Sequence, residues 1–225
     1  MDYAEAVEKA PPGWRHFRIG DVERLPDTVR ARELARIPPH EPDDHVLRAM
    51  FWTLIYHLEP EKWDELARAE PIHRDVLAAL PKTKTALDVG AGSGRLTEHL
   101  VRTCGEVVAI EPAAGLRAIL AQRLRSVRAL DGWAEALPVD DGWSQLTAAC
   151  GSFGPDTAIL RELERVTASG GAIALISPEQ PDWFQANGWR RITAAPIDPL
   201  PHPAWIDDFF GRLDPPHEMV VLDVG

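Results

Sequence analysis

Cysteine and positive charge are scarce in this chain, and each scarcity argues against a class of function. Cys104 and Cys150 are the two cysteines among 225 residues. They lie far apart, without metal-ligand spacing and in apolar settings, which argues against a disulfide framework or a zinc site and for buried thiols. Lys and Arg number 24 against 35 Asp and Glu, a formal net charge of -11. A surface of that sign repels phosphate backbones, and no run of Lys and Arg interleaved with aromatics occurs, so nucleic acid is not an expected partner. The longest apolar run, Ala49 to Leu58, is too short and too interrupted to span a bilayer. The N-terminal stretch lacks a basic region followed by an apolar one. A soluble, cytoplasmic protein without a membrane partner is expected.

What is present is an ordinary globular composition, 45% hydrophobic and 26% charged, with 20 prolines marking rigid loops. The organising stretch is Ala86 to Leu96, A-L-D-V-G-A-G-S-G-R-L. An apolar strand ends at Val89, three glycines follow at Gly90, Gly92 and Gly94, and a helical pattern resumes through Leu96, Leu100 and Val101. Strand, glycine turn and helix build a loop whose backbone can approach a ligand closely, with free helix N–H groups aimed at it. A second strand, Val107 to Ile110, ends in Glu111, where a carboxylate can hold the two hydroxyls of a ribose. An acidic residue at a strand end is common. Its distance from the glycine turn favours ribose binding.

The glycine spacing selects among nucleosides. A dinucleotide site has G-x-G-x-x-G, whereas here the third glycine comes one position early and Arg95 stands where a dehydrogenase keeps a small residue. The D-x-G-x-G-x-G of Asp88 to Gly94 resembles the first motif of the class I S-adenosylmethionine-dependent methyltransferases, and S-adenosyl-L-methionine is the cofactor this implies. The resemblance covers about Thr85 to Ser177. Gly132 to Pro138, G-W-A-E-A-L-P, is similar to the adenine-cradling G-D-A-E-x-L-P of small-molecule members, with Trp133 in place of the acid. Ala134 would offer its amide there, and Glu135 would cap the next turn. The family pattern places the cofactor contacts on Asp88, Gly90, Ala91, Gly92, Gly94, Glu111, Pro112, Gly132, Trp133, Ala134 and Cys150. Asp88, inside an apolar strand, costs free energy unless hydrogen-bonded, so it also serves to tie the loop. Two departures stand out. Gln145 replaces an acid at the fourth strand, and Gly151-Ser152-Phe153-Gly154 replaces the aromatic-and-histidine loop usual after it.

The predicted fold is α/β, a Rossmann-like, seven-stranded, mostly parallel sheet with helices on both faces and an N-terminal helical cap. Residues 1–81 would form the arm and cap, and residues 82–225 the cofactor-binding domain, with the family order placing the seventh strand antiparallel between the fifth and sixth. In the arm, Trp14, Phe17 and Ile19 read as an apolar cluster, and Asp27 to Ile37 as a helix with Val29, Leu34 and Ile37 inward. One helix from Asp43 or Asp44 to Leu58, a second through Trp63 and a third through Val76 form the cap. In the core, Gly170-Gly171 is read as breaking a helix before a fifth strand at Ala172 to Ser177. The last strand is placed at Met219 to Val224.

The pattern implies a metal-independent methyltransferase for a small molecule, acting on oxygen, nitrogen or carbon. No N-P-P-Y or D-P-P-Y follows the fourth strand, and no Pro-Cys nucleophile or Asp-Asn metal pair occurs. His57 and Tyr56 are the catalytic candidates, because they flank the apolar stripe of the helix expected to face the cofactor; His16, His45, His73 and Tyr3 are weaker ones. Trp14, Trp52 and Trp183 are candidate walls of an aromatic pocket. Two alternatives stay open: a catalytically weak or inactive nucleoside-binding or scaffold protein that kept the methyltransferase fold, and an NAD-dependent oxidoreductase. A homodimer is the one protein partner left open.

Overall fold

A computed structural model describes residues 2–213 and 216–223. The chain begins with seven short helices: α1 (Tyr3–Glu8), α2 (Ile19–Val22), α3 (Asp27–Leu34), α4 (Asp43–Ala49), α5 (Phe51–Leu58), α6 (Pro60–Ala69) and α7 (Arg74–Ala78). The α/β core follows as β1 (Thr85–Val89), α8 (Thr97–Thr103), β2 (Glu106–Ile110), α9 (Ala114–Arg123), β3 (Arg128–Leu130), β4 (Ser144–Cys150), α10 (Thr157–Val166) and β5 (Thr167–Ile176). It closes with α11 (Pro181–Ala186), β6 (Arg190–Pro196), α12 (Ala204–Phe210) and β7 (Pro216–Asp223). The seven strands form one sheet in the order β3-β2-β1-β4-β5-β7-β6. The first five run parallel and β7 lies antiparallel between β5 and β6.

Alternation along the strands divides the core into two layers. Ala86 of β1 packs with Leu146, Ala148 and Ala174 under α7 and α8, whose Val76 and Leu100 are fully buried. Leu87 and Val89 point the other way, onto Ile159, Leu163 and Phe184 of α10 and α11. Both faces are therefore covered, and β1 and β2 end together on the edge where Gly90 and Glu111 emerge.

A separate apolar cluster fills the cap. Phe17, Val22, Leu47, Met50, Phe51, Leu54 and Ile55 pack there with Ile206 and Phe210 of α12. Helix α12, which the proline-rich sequence from Pro196 to Pro203 had concealed, thus completes the cap from the far end of the chain.

Several sequence expectations shift. The single helix from Asp43 to Leu58 is two, interrupted at Met50 (φ -93°, ψ 2°). Leu34 is exposed rather than inward, because α3 turns only Val29 into the cap, and Ile19 is exposed at the start of α2, which buries Val22 instead. Gly170 and Gly171 lie within β5 rather than before it; Gly170 takes φ 73°, and the pairing with β4 slips between Ser144 and Leu146. The two cysteines are only partly buried. Val224, the expected end of the last strand, lies outside the described residues.

Candidate functional site

The glycine turn holds its shape through positive φ at Gly90 (70°), Gly92 (56°) and Gly94 (101°), a region most residues avoid. It is also crowded. A Cβ on Gly90 would lie 2.7 Å from the Ser152 side chain, and one on Gly92 would lie 2.9 Å from Trp63 Nε1. Ser152 Oγ sits 3.2 Å from the carbonyl oxygens of Gly90 and Cys150. The loop after β4, which lacks the usual histidine, is thus folded onto the glycine turn.

Glu111, at the end of β2, is buried and accepts hydrogen bonds from the backbone N–H groups of Gly92 and Ala113, both at 2.8 Å. Burial pushes its pKa up, and those two bonds oppose the rise. A carboxylate has about four acceptor positions, so each oxygen keeps one for an incoming hydroxyl. Asp88 serves the loop from behind, its Oδ2 accepting from Thr97 Oγ1 at 2.5 Å at the start of α8. Burial, chiefly, raises its pKa to about 7.

A cavity of about 930 Å³ opens over these strand ends. Of the predicted cofactor contacts, Gly90, Gly92, Glu111, Pro112, Gly132, Trp133, Ala134 and Cys150 line it, as do both catalytic candidates, Tyr56 and His57. Asp88 and Ala91 instead line a small recess beneath the turn, and Gly94 packs towards Leu120. Gly132 is confined by Pro138 and Ile110, each within 3.0 Å of where a Cβ would stand, which fixes the loop after β3. Glu135 does not cap the next turn. It pairs with Arg32 of α3, whose guanidinium also lies 4.2 Å from the Trp133 ring centre. Gln145 lies at the opposite end of β4, accepting from Lys84 N at 2.9 Å, so that departure leaves the cavity untouched.

The cap supplies the other wall. Trp52, Tyr56 and Trp63 pack edge and face, with Tyr56 and Trp63 ring centres 4.9 Å apart. Helix α6 is fastened to the core by two ion pairs. Asp64 receives Arg123 through both oxygens at 2.6 Å, and Glu70 receives Arg95 at 2.9 Å. Arg95 therefore anchors the cap instead of blocking the turn. Trp63 covering Gly92, and the arginines facing the cavity, escaped the sequence reading; periodicity marks such residues as helical but does not say what they face.

Both catalytic candidates line the cavity. Burial, then the charge of Arg117, lowers the pKa of His57. Burial, then the charge of Glu111, raises that of Tyr56. The Tyr56 hydroxyl makes no hydrogen bond to another described residue. Of the remaining candidates, His16, His45 and Tyr3 engage Glu59 or Glu41, and His73 caps α7. Trp183 is exposed against Phe184 and does not line the cavity.

Residues 86–171 match a family described as "Methyltransferase domain". Over these residues the chain is similar to methyltransferase domains, and its sheet order is that of the Rossmann-like methyltransferase fold. An uncharacterised methyltransferase of Mycobacterium tuberculosis is 34% identical over 95 residues, covering 41% of this chain and 39% of that protein. The chain thus matches about two fifths of the length of its curated relatives. Among solved structures, a possible histamine N-methyltransferase from Thermotoga maritima superposes with a TM-score of 0.50 at 20% identity, covering 76% of this chain and 97% of that one. A methyltransferase from Methanosarcina mazei gives 0.51 at 12% identity, covering 67% and 97%. These likenesses support the methyltransferase fold of the domain, and the family match sets the dinucleotide-oxidoreductase alternative aside. No helix among the described residues is long and apolar enough to cross a membrane.

Proposed function

We propose that the protein transfers a methyl group from S-adenosyl-L-methionine to a small molecule held between the core and the cap, without a metal ion. The observation that carries this reading is Glu111: a buried carboxylate, fixed by two backbone amides, with a free acceptor position on each oxygen facing the cavity. Those positions suit ribose hydroxyls. Gly132, Trp133 and Ala134 would border the adenine, and Gly90, Gly92 and Cys150 the methionyl part. The bound cofactor supplies a sulfonium methyl, whose leaving group is already charged, so alignment and exclusion of water can supply much of the acceleration.

Tyr56 is the cap residue assigned to the acceptor. Its raised pKa keeps the phenol protonated, so it orients the acceptor as a hydrogen-bond donor and not as a base. The imidazole of His57, whose pKa burial lowers, is neutral at pH 7 and lines the same cavity. The cavity suits a small-molecule acceptor, being within the usual size of ligand pockets.

Calorimetric titration with S-adenosylhomocysteine tests the reading. The wild-type protein should bind, and Glu111→Ala should weaken binding by about 1–3 kcal/mol through lost charge-assisted hydrogen bonds. Equal affinity in the two proteins overturns the ribose assignment. No binding by a folded wild-type protein favours the scaffold alternative.

A further inference from the structure

The cavity is lined by three arginines, and two are matched by acids. Arg32 is paired with Glu135, and Arg36 lies 3.7 Å from Glu33. Arg48 of α4 differs. It makes no ion pair or hydrogen bond with any described residue, and its Nε is buried without a partner. Among the described residues its guanidinium stacks on the Trp14 ring, 4.8 Å from the ring centre, a ring that Arg15 also approaches. Stacking of this kind satisfies the flat face of a guanidinium and leaves its edge N–H groups free, the edge that grips a carboxylate through two parallel bonds. A buried donor without a partner is unfavourable, and a ligand can relieve it. In a chain with a net charge of -11, an arginine left without an acid at the edge of a cavity is an anion site.

Its place in the helix sets the geometry of the ligand. The hydrogen bonds Met50 N to Val46 O (3.0 Å) and Leu54 N to Met50 O (2.9 Å) carry the helical path across the break between α4 and α5. Arg48, Trp52 and Tyr56 therefore stand on one face at four-residue intervals, and all three line the cavity. Trp52 and Tyr56 are stacked, with ring planes 25° apart and centres 6.1 Å apart. Tyr56 is at the glycine-turn end, and Arg48 lies eight residues away, roughly 12 Å along the axis.

We propose that Arg48 forms a carboxylate subsite, and that the methyl acceptor is an elongated molecule. Its planar apolar body passes the edge of Trp52, whose ring is stacked with Phe210 and Tyr56, its nucleophile sits beside Tyr56, and its carboxylate docks on Arg48. This rests on the methyltransferase reading and adds the substrate class to it. Charge at the far end selects and orients the ligand, and takes no part in the displacement itself.

The test uses 4′-hydroxybiphenyl-4-carboxylate and 4-hydroxybenzoate, each against its primary amide, titrated calorimetrically into the full chain saturated with S-adenosylhomocysteine. At least one carboxylate should bind about tenfold or more tighter than its amide. Arg48→Met should remove that preference, and Arg48→Lys should restore part of it. S-adenosylhomocysteine affinity should stay within about twofold in both variants, a difference well under 1 kcal/mol. Equal binding of acid and amide, a preference that survives Arg48→Met, or no binding of either acid at millimolar concentration overturns the subsite. If S-adenosylhomocysteine itself fails to bind, the methyltransferase reading falls separately. The same acid–amide comparison on the nucleoside-free protein then decides the Arg48 site.

Discussion

On the sheet side of the cavity, the groups that meet a ligand are backbone amides and one carboxylate, held where β1 and β2 end together. On the cap side they are long side chains of one helical face, Arg48, Trp52 and Tyr56. The first set is fixed by the hydrogen-bond ladder of a fully covered sheet. The second is fixed by a smaller aromatic cluster closed by α12 and two ion pairs. A site of this construction keeps its cofactor half constant while its acceptor half can change by substitution on one helix.

The strongest way to break that contrast is to remove the centre of the cap cluster. Phe51 is fully buried among Phe17, Trp52, Phe209 and Phe210. Phe51→Ala should destabilise the protein by about 3–5 kcal/mol. Hydrogen exchange should show amides of α4 and α5 losing protection before those of β1. Uniform loss across cap and sheet would mean that the two regions form one cooperative unit.

On the sheet side the matching probe is Asp88, whose pKa burial raises to about 7. An acid raised in the folded state binds more protons there than in the unfolded chain, so its contribution to stability falls as pH rises from about 4 to about 7. Asp88→Asn keeps an acceptor for Thr97 and removes the charge. The wild-type unfolding free energy, measured by urea denaturation, should therefore decline relative to Asp88→Asn across that window, by an amount on the order of a few kcal/mol at about 1.4 kcal/mol per pKa unit. Parallel pH profiles would show that Asp88 stays ionised at no cost.

Between the two sides stands the Glu70–Arg95 bridge, both side chains 17% exposed. Glu70→Gln should cost about 1–2 kcal/mol, measured by urea denaturation, by weakening a charge-assisted hydrogen bond. An unchanged midpoint would place the attachment of α6 on Asp64 and Arg123 alone.

The sheet half was legible because its constraints are local. The strand, the glycines at Gly90 to Gly94 and the acid at Glu111 lie within one βαβ unit, so spacing alone implies their meeting. The order of the last strands followed from the resemblance and is what the structure shows. The cap half was not legible in this way. Phe210 packs on Phe51 across more than a hundred and fifty residues, and helical periodicity cannot say that Trp63 covers Gly92. Arg95 read only as a residue too large for a dehydrogenase turn, because its acid partner Glu70 lies at the end of α6, 25 residues away. Gln145 read as a loss, yet it sits at the end of β4 remote from the cavity.

The smallest expected effect probes a place where the arm reaches the cofactor side. Arg32 stacks on Trp133 and pairs with Glu135, so α3 is strapped across the loop proposed to border the adenine. The guanidinium is partly exposed, and a stacked cation at such a site contributes about 0.5–1 kcal/mol. Arg32→Met keeps much of the apolar contact and removes the charge. If the strap orders the adenine loop before the ligand arrives, S-adenosylhomocysteine affinity should fall by about twofold to fivefold, up to 1 kcal/mol. The loss should appear mainly in the dissociation rate, because an ordered loop retains what it has already enclosed. An unchanged dissociation rate would confine Arg32 to holding the arm, and would separate α3 from the cofactor half altogether.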